Sequence, residues 1–280
     1  STLVKEFCKQ QELTCYSFQG LAPGKNVNKT NQLTNFRKAF LDYLGPSELS
    51  IKNWSTALKS LKLLKFTKKT VIFLDEISWM AMGEGSFASM LKANWDEHLE
   101  PINNLILIVC GSVSSWIDEN ISQNTGFAGR VNVEISLKEL DLVNSYFMLK
   151  KRNPHLAPRE FWQLISLVGC VPKYLEEINT KETAEVNIKK YFFNPNQFFF
   201  NEYDKIFSEI FGQKNSLYQK ILITLNNNHL APIDLAKKMR VQYEKTFSKA
   251  ISDLELAGFL SRDFTWSLNE QESKLSKLRI

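Results

Sequence analysis

Val71-Ile72-Phe73-Leu74-Asp75-Glu76, VIFLDE in one-letter code, ends a run of four apolar residues in an acidic pair. Such a run, mostly β-formers without polar alternation, predicts a strand covered on both faces, as in a parallel sheet. Ending it in Asp-Glu puts two carboxylates at the strand's C-terminal edge, where open α/β sheets hold their ligands. The plainer reading is a strand that turns back into water through two acids. The surrounding residues decide between them.

Residues 1–137 alternate strands with helical segments. An opening helix leads to a short strand, Thr14 to Phe18, and a Gly/Pro/Asn-rich loop from Gly20 to Asn31. Leu33, Phe36, Phe40, Leu41 and Leu44 then mark a helix closed by Gly45-Pro46. A lysine-rich helix precedes VIFLDE, and another follows from Ser86 to Leu99. Leu105 to Cys110 (LILIVC) and Val131 to Leu137 are expected as further buried strands. The alternation predicts an α/β fold with a parallel, doubly wound sheet.

Residues 138–183 read as helical, broken at Gly169-Cys170-Val171-Pro172. Residues 184–215 carry Tyr191, Phe192, Phe193, Phe198, Phe199, Phe200 and Tyr203. That density predicts packing between domains, with a ligand or partner groove as the alternative. Residues 216–280 give helix, helix, helix, hairpin, with Gly258 as the stop before Phe259-Leu260-Ser261-Arg262, the layout of a winged helix-turn-helix.

At 280 residues the chain is long enough for two or three modules. Its composition is that of an ordinary soluble globular protein, no apolar run is long enough to span a membrane, and no secretory signal is visible. Cys8, Cys15, Cys110 and Cys170 form no C-x-x-C, and His98, His155 and His229 are isolated. This predicts neither a zinc site nor a disulfide framework and fits a reducing cytoplasm. The formal charge of +5 is a weak pointer to nucleic acid. Lys52, Lys59, Lys62, Lys65, Lys68 and Lys69 share an acid-free stretch with Leu58, Leu61, Leu63 and Leu64, which reads as a surface helix with a lysine face or as a nucleic-acid patch.

The sequence opens on Ser1-Thr2 and runs directly into the amphipathic Leu3-Val4-Lys5-Glu6-Phe7. A phosphate-binding loop, G-x-x-x-x-G-K-[ST], opens a helix in this manner. Ser1 is therefore expected to be the last residue of such a loop, cut short here; a mature protein starting at Ser is the alternative. Gly24-Lys25 is followed by Asn26 and fails the motif. Downstream, Gly111-Ser112 sets a hydroxyl at the end of the LILIVC strand, or simply a turn residue. Gly126-Phe127-Ala128-Gly129-Arg130 precedes the expected third strand. An arginine there can reach a terminal phosphate, or make a surface salt bridge.

In this order the residues resemble the archaeal-type ATPase family, a STAND-like branch of P-loop NTPases close to AAA+. The resemblance is carried by Ser1-Thr2, VIFLDEISWM, VCGSVSSWI, FAGR, the G-x-x-P-x-Y-L segment from Gly169 to Leu175, and the C-terminal helices and hairpin. It implies a parallel-sheet P-loop NTPase core of the ASCE type at 1–137, a helical lid at 138–183, an aromatic connector at 184–215 and a winged helix at 216–280. It implies ATP and Mg2+ as ligands, with Ser1 and Asp75 on the metal and Ser1, Thr2, Asp75 and Pro172 around the nucleotide. Glu76 would orient and deprotonate the attacking water, Ser112 would be sensor 1, and Arg130 would face a γ-phosphate of its own or a neighbouring subunit. Cys170 departs from the usual second glycine, and Lys173 is the one conceivable stand-in for a sensor 2 arginine. Without a complete phosphate loop, the chain as given is expected to bind ATP poorly.

The leading expectation is a nucleotide-dependent molecular switch with slow hydrolysis, able to form homo-oligomers and making no use of a membrane. The alternative is a winged-helix DNA-binding regulator whose core is a degenerate scaffold or a protein-interaction platform. Glu244, Lys245, Lys249, Asp253 and Glu255 on the third helix are nearly balanced in charge, which argues against tight DNA binding and leaves a protein partner as a third reading.

Overall fold

The computed structural model describes residues 1–24, 26–45, 50–111, 115–195, 197–202, 205, 207, 215–226, 228–266 and 272–280. The chain divides into two compact units, residues 1–131 with 209–280, and residues 132–208.

The first unit is built on a parallel sheet in the order β1 (Thr14–Gln19), β2 (Thr70–Asp75), β3 (Leu105–Val109). Every residue of the central β2 is buried, as a run without polar alternation requires. On one face Val71 and Phe73 pack with Cys8 and Val4 of α1 (Thr2–Gln10). On the other, Ile72 and Leu74 join Phe18, and behind them stand α2 (Lys29–Leu44), α3 (Trp54–Ser60) and, beyond the short α4 (Ile77–Met80), α5 (Phe87–Asn94). Rings connect these layers: Phe18 to Phe36 at 4.6 Å, Phe36 to Trp54 at 5.5 Å, and Trp54 to Phe87 at 4.9 Å. Each such side chain contributes about 1.5–3 kcal/mol on burial, so this cluster sets the sheet's position.

Local signals explain the helix limits. The Asn28 side chain accepts from the Thr30 and Asn31 amides while Asn31 accepts from the Asn28 amide, a reciprocal cap, and Gly45 at φ 85° ends α2. Asn53 caps α3 in the same way with Thr56. The outer edge of β1 is also covered: the Tyr43 hydroxyl accepts from the Ser17 amide and donates to the Ser17 carbonyl, and Asn35 donates to the Gln19 carbonyl.

Val131–Leu137 corrects the expected third buried strand. No strand pairs with this segment among the described residues, and Val133, Ile135 and Leu137 are 73%, 72% and 70% exposed. Its alternation of apolar and polar residues meets one condition for a strand. The other, a neighbour for the backbone donors and acceptors, is missing.

After α6 (Ser115–Ile117), the second unit holds α7 (Leu142–Arg152), α8 (Pro158–Val168), α9 (Pro172–Glu177) and α10 (Ala184–Phe192). Leu149, Leu156, Phe161, Leu164, Leu175 and Ile178 form its core. Arg152 donates to the carbonyls of Leu175 and Ile178, tying α7 to the end of α9. Part of the aromatic run packs inside this unit, where Phe199 stacks on Phe192 at 5.0 Å and meets Tyr174 edge-on at 5.2 Å, while Phe193 and Phe200 are exposed.

The C-terminal part of the first unit has α11 (Asn215–Leu225), α12 (Pro232–Met239), α13 (Lys245–Leu256) and the antiparallel pair β4 (Ser261–Trp266) and β5 (Glu272–Arg279). Leu230 bridges to Leu278 beside that hairpin, and the Tyr218 hydroxyl donates to the buried Asp253 carboxylate at 2.7 Å. Among the described residues, no helix is long and apolar enough to cross a membrane.

Candidate functional site

Asp75 is the last residue of β2 and, by strand alternation, shares the face of Val71 and Phe73 that α1 covers. It is 2% exposed, and its Oδ1 has no hydrogen-bond partner among the described residues. A buried polar atom left without a partner costs about 1–3 kcal/mol, more when charged, so such an atom marks a place where a water or a cation belongs.

Glu76 follows in the left-handed region at φ 52°, ψ 51°, which costs a non-glycine residue about 1–2 kcal/mol. That turn takes the chain off the sheet and into α4, and the Ile77 amide then bonds the Cys110 carbonyl at 2.9 Å. Gly20 meets this turn from β1. Its amide donates to the Asp75 carbonyl at 2.9 Å, and a Cβ placed on it would lie 2.6 Å from the Glu76 carbonyl oxygen.

Ser1 caps α1, and its hydroxyl makes no bond to that helix. Thr2 begins the helix, and both residues are exposed. Cys110, just beyond β3, senses the neighbourhood. Burial pushes its thiol up, and the Asp75 and Glu76 carboxylates push it further in the same direction. Cys110 and Val4 of α1 pack against the same Val71 and Phe73 cluster, which sets the first turn of α1 over the face of β2 that ends in Asp75. A helix start offers unpaired amides to an anion, which is what a phosphate would need beside two carboxylates. Among the described residues no cluster of three or more His, Cys, Asp and Glu could hold a metal by itself. Magnesium typically takes one or two carboxylates and completes its shell with phosphate oxygens and water, which suits a single unpartnered aspartate.

Arg130 belongs to the same unit but is engaged elsewhere. Its guanidinium donates to both Asp96 oxygens, at 2.6 and 2.9 Å, and to the carbonyls of Gly126 and Ala128. Lys92 adds a bond to Asp96 at 2.8 Å. Arg130 first and Lys92 second hold the Asp96 carboxyl down at about 2. Ser112 lies outside the described residues. Pro172 stands in the other unit as the first residue of α9. There Gly169 takes φ 66°, the Cys170 amide donates to the Glu139 carboxylate at 3.0 Å, and the Leu140 amide donates to the Cys170 carbonyl at 3.1 Å. Lys173 pairs with Glu177 at 2.7 Å.

The structure places Asp75 and Glu76 together at the C-terminal end of β2 and ties Arg130 to an acid. Gly20, Asp96 and Glu139 are additions the sequence reading missed. Only Asp96 carried a signal, its i,i+4 spacing from Lys92.

The chain matches no protein-family model and no curated protein. Among solved structures it is similar to a Walker-type ATPase of Pyrococcus abyssi, with a TM-score of 0.60 at 12% identity, over 96% of this chain and 82% of that one. It is also similar to the Aeropyrum pernix Orc1 protein in complex with DNA, with a TM-score of 0.42 at 13% identity, over 100% of this chain and 78% of that one. The first likeness shows that the chain has the fold of a P-loop ATPase.

Proposed function

We propose that the chain is the body of an archaeal-type P-loop ATPase that binds Mg-ATP at the C-terminal edge of the sheet and works as a nucleotide-dependent switch. The observation that carries this reading is the buried, unpartnered Asp75 oxygen beside Glu76, at the edge where α1 begins. The Asp75 carboxylate and the Ser1 hydroxyl would hold magnesium, which supplies charge neutralisation on the phosphates. Ser1, Thr2 and the α1 amides would receive phosphate oxygens. Glu76 would take the proton of the attacking water, and Ser112 would orient that water.

The three helices and hairpin of 216–280 support a winged helix as the output module. Lys249 on its third helix pairs with Glu119 in the segment that follows β3, so the module touches the element that leads away from the nucleotide edge. That contact favours a switch over a free-standing DNA reader, and most of the third helix's charges are balanced.

The test is ATP turnover. Glu76→Gln should keep nucleotide binding and lose hydrolysis, because only the base is gone. Asp75→Ala should weaken magnesium-dependent binding as well. Turnover in Glu76→Gln equal to the parent's would remove the assignment.

A further inference from the structure

We propose that the lysine strip between Lys52 and Lys69 is a sequence-independent docking surface for the phosphate backbone of duplex nucleic acid, separate from the nucleotide edge. No acid occurs between Glu48 and Asp75, while Lys52, Lys59, Lys62, Lys65, Lys68 and Lys69 are all exposed. Among the described residues none of these six ammonium groups has an ion-pair partner. Other lysines, such as Lys5, Lys38 and Lys220, are likewise without a carboxylate among the described residues, so what sets the strip apart is six lysines within eighteen positions that contain no acid.

The acids on packed neighbours do not neutralise the strip. Asp96, on the turn after α5, is taken by Arg130 and Lys92; Glu97 there stands beside His98; Asp42 on α2 is exposed and makes no ion pair with these lysines. Lys69 directly precedes β2 and Asp75 ends it, so the strip and the acidic pair lie at opposite ends of one strand, roughly 17–20 Å apart at about 3.3 Å per residue.

The apolar side of this segment selects the partner. Trp54, Ala57, Leu58, Leu61 and Leu64 are buried in the core, which leaves Leu63 as the one large exposed hydrophobe of the strip. A membrane-surface helix needs a free apolar face to insert, and none is available. Sequence-independent duplex binding rests on neutralising phosphates, which lysines do as point charges, so a dense acid-free row of lysines suits a dense row of phosphates. A duplex supplies one charge per about 1.7 Å of axis.

The experiment follows anisotropy of a labelled random-sequence duplex with the full chain, between about 50 and about 200 mM salt. The parent should bind, with the logarithm of the affinity falling against the logarithm of salt. Lys59→Gln, Lys62→Gln and Lys65→Gln combined should lower that slope by roughly 2–3, at about 0.9 per lost contact. The same three positions changed to Arg should keep it, and Lys237→Gln with Lys245→Gln on the C-terminal helices should leave it unchanged. An unchanged slope in the triple Gln variant overturns the proposal. So does absence of duplex binding at low salt, or retention on anionic phospholipid vesicles in place of duplex. None of these readouts depends on ATP, so their failure is distinct from failure of the ATPase reading.

Discussion

Gly20 and Glu76 are in backbone contact across the ends of neighbouring strands: a Cβ on Gly20 would stand 2.6 Å from the Glu76 carbonyl oxygen and 3.0 Å from the Trp79 Cβ. The glycine lets β1 and the turn after β2 close on each other. It thereby fixes the left-handed conformation that swings Glu76 out of the sheet.

Gly20→Ala should therefore act at a distance on the acidic pair. The obstructing atom is backbone, so the turn must move. A loss of roughly 1–3 kcal/mol is expected from the overpacking, read by denaturant unfolding. Turnover should fall with it although no reacting group is altered. A variant as stable as the parent would show that the turn yields easily.

Asp75→Asn should raise the thermal midpoint of the ligand-free protein. The change keeps the side-chain volume nearly constant while lowering the cost of burying an acceptor, Oδ1, that has no partner among the described residues. The same change should abolish any added stability from magnesium with nucleotide. A ligand-free midpoint below the parent's would mean that the carboxylate is already satisfied.

Arg130 must leave Asp96 to meet a phosphate, so Arg130→Ala should lower turnover more than it lowers stability. Mixing Arg130→Ala with Glu76→Gln protein distinguishes the two placements. Activity regained in the mixture means that the arginine serves a neighbouring subunit, and no regain means that it serves its own. Full activity in Arg130→Ala alone would leave it as a structural ion pair.

The Asp96 carboxyl is lowered from 3.8 to about 2 by Arg130 and then Lys92. A depressed carboxyl stabilises the folded state above its unfolded value, and the contribution disappears as the pH falls from about 4 through about 2. Thermal midpoints across that window should drop more steeply in the parent than in Asp96→Asn. Parallel curves would remove the ion pair from the acid response.

Much of the scaffold was legible because its signals are local. β2 and β3 are short apolar runs, α2 ends at its glycine, and the order of helices and hairpin after residue 215 follows from spacing. Val131–Leu137 was misread because alternation says which side chains share a face and nothing about whether another strand is alongside. Within the site, the positions of Asp75 and Glu76 could be read from the run they terminate. The unpartnered Oδ1 of Asp75, the approach of Gly20 and the capture of Arg130 by Asp96 could not. Each depends on residues tens of positions away, and no periodicity encodes such meetings.

β2 has a hydrogen-bonded neighbour on both edges and a packed layer on both faces. Its amides should therefore be among the last in the unit to exchange with solvent, released only when the whole unit opens. Asp75 is attached to that slowest clock, whereas Glu76, one residue later, belongs to a turn. Adjacent carboxylates thus keep different time: one ends the strand that opens last, and the other begins the turn that leaves it.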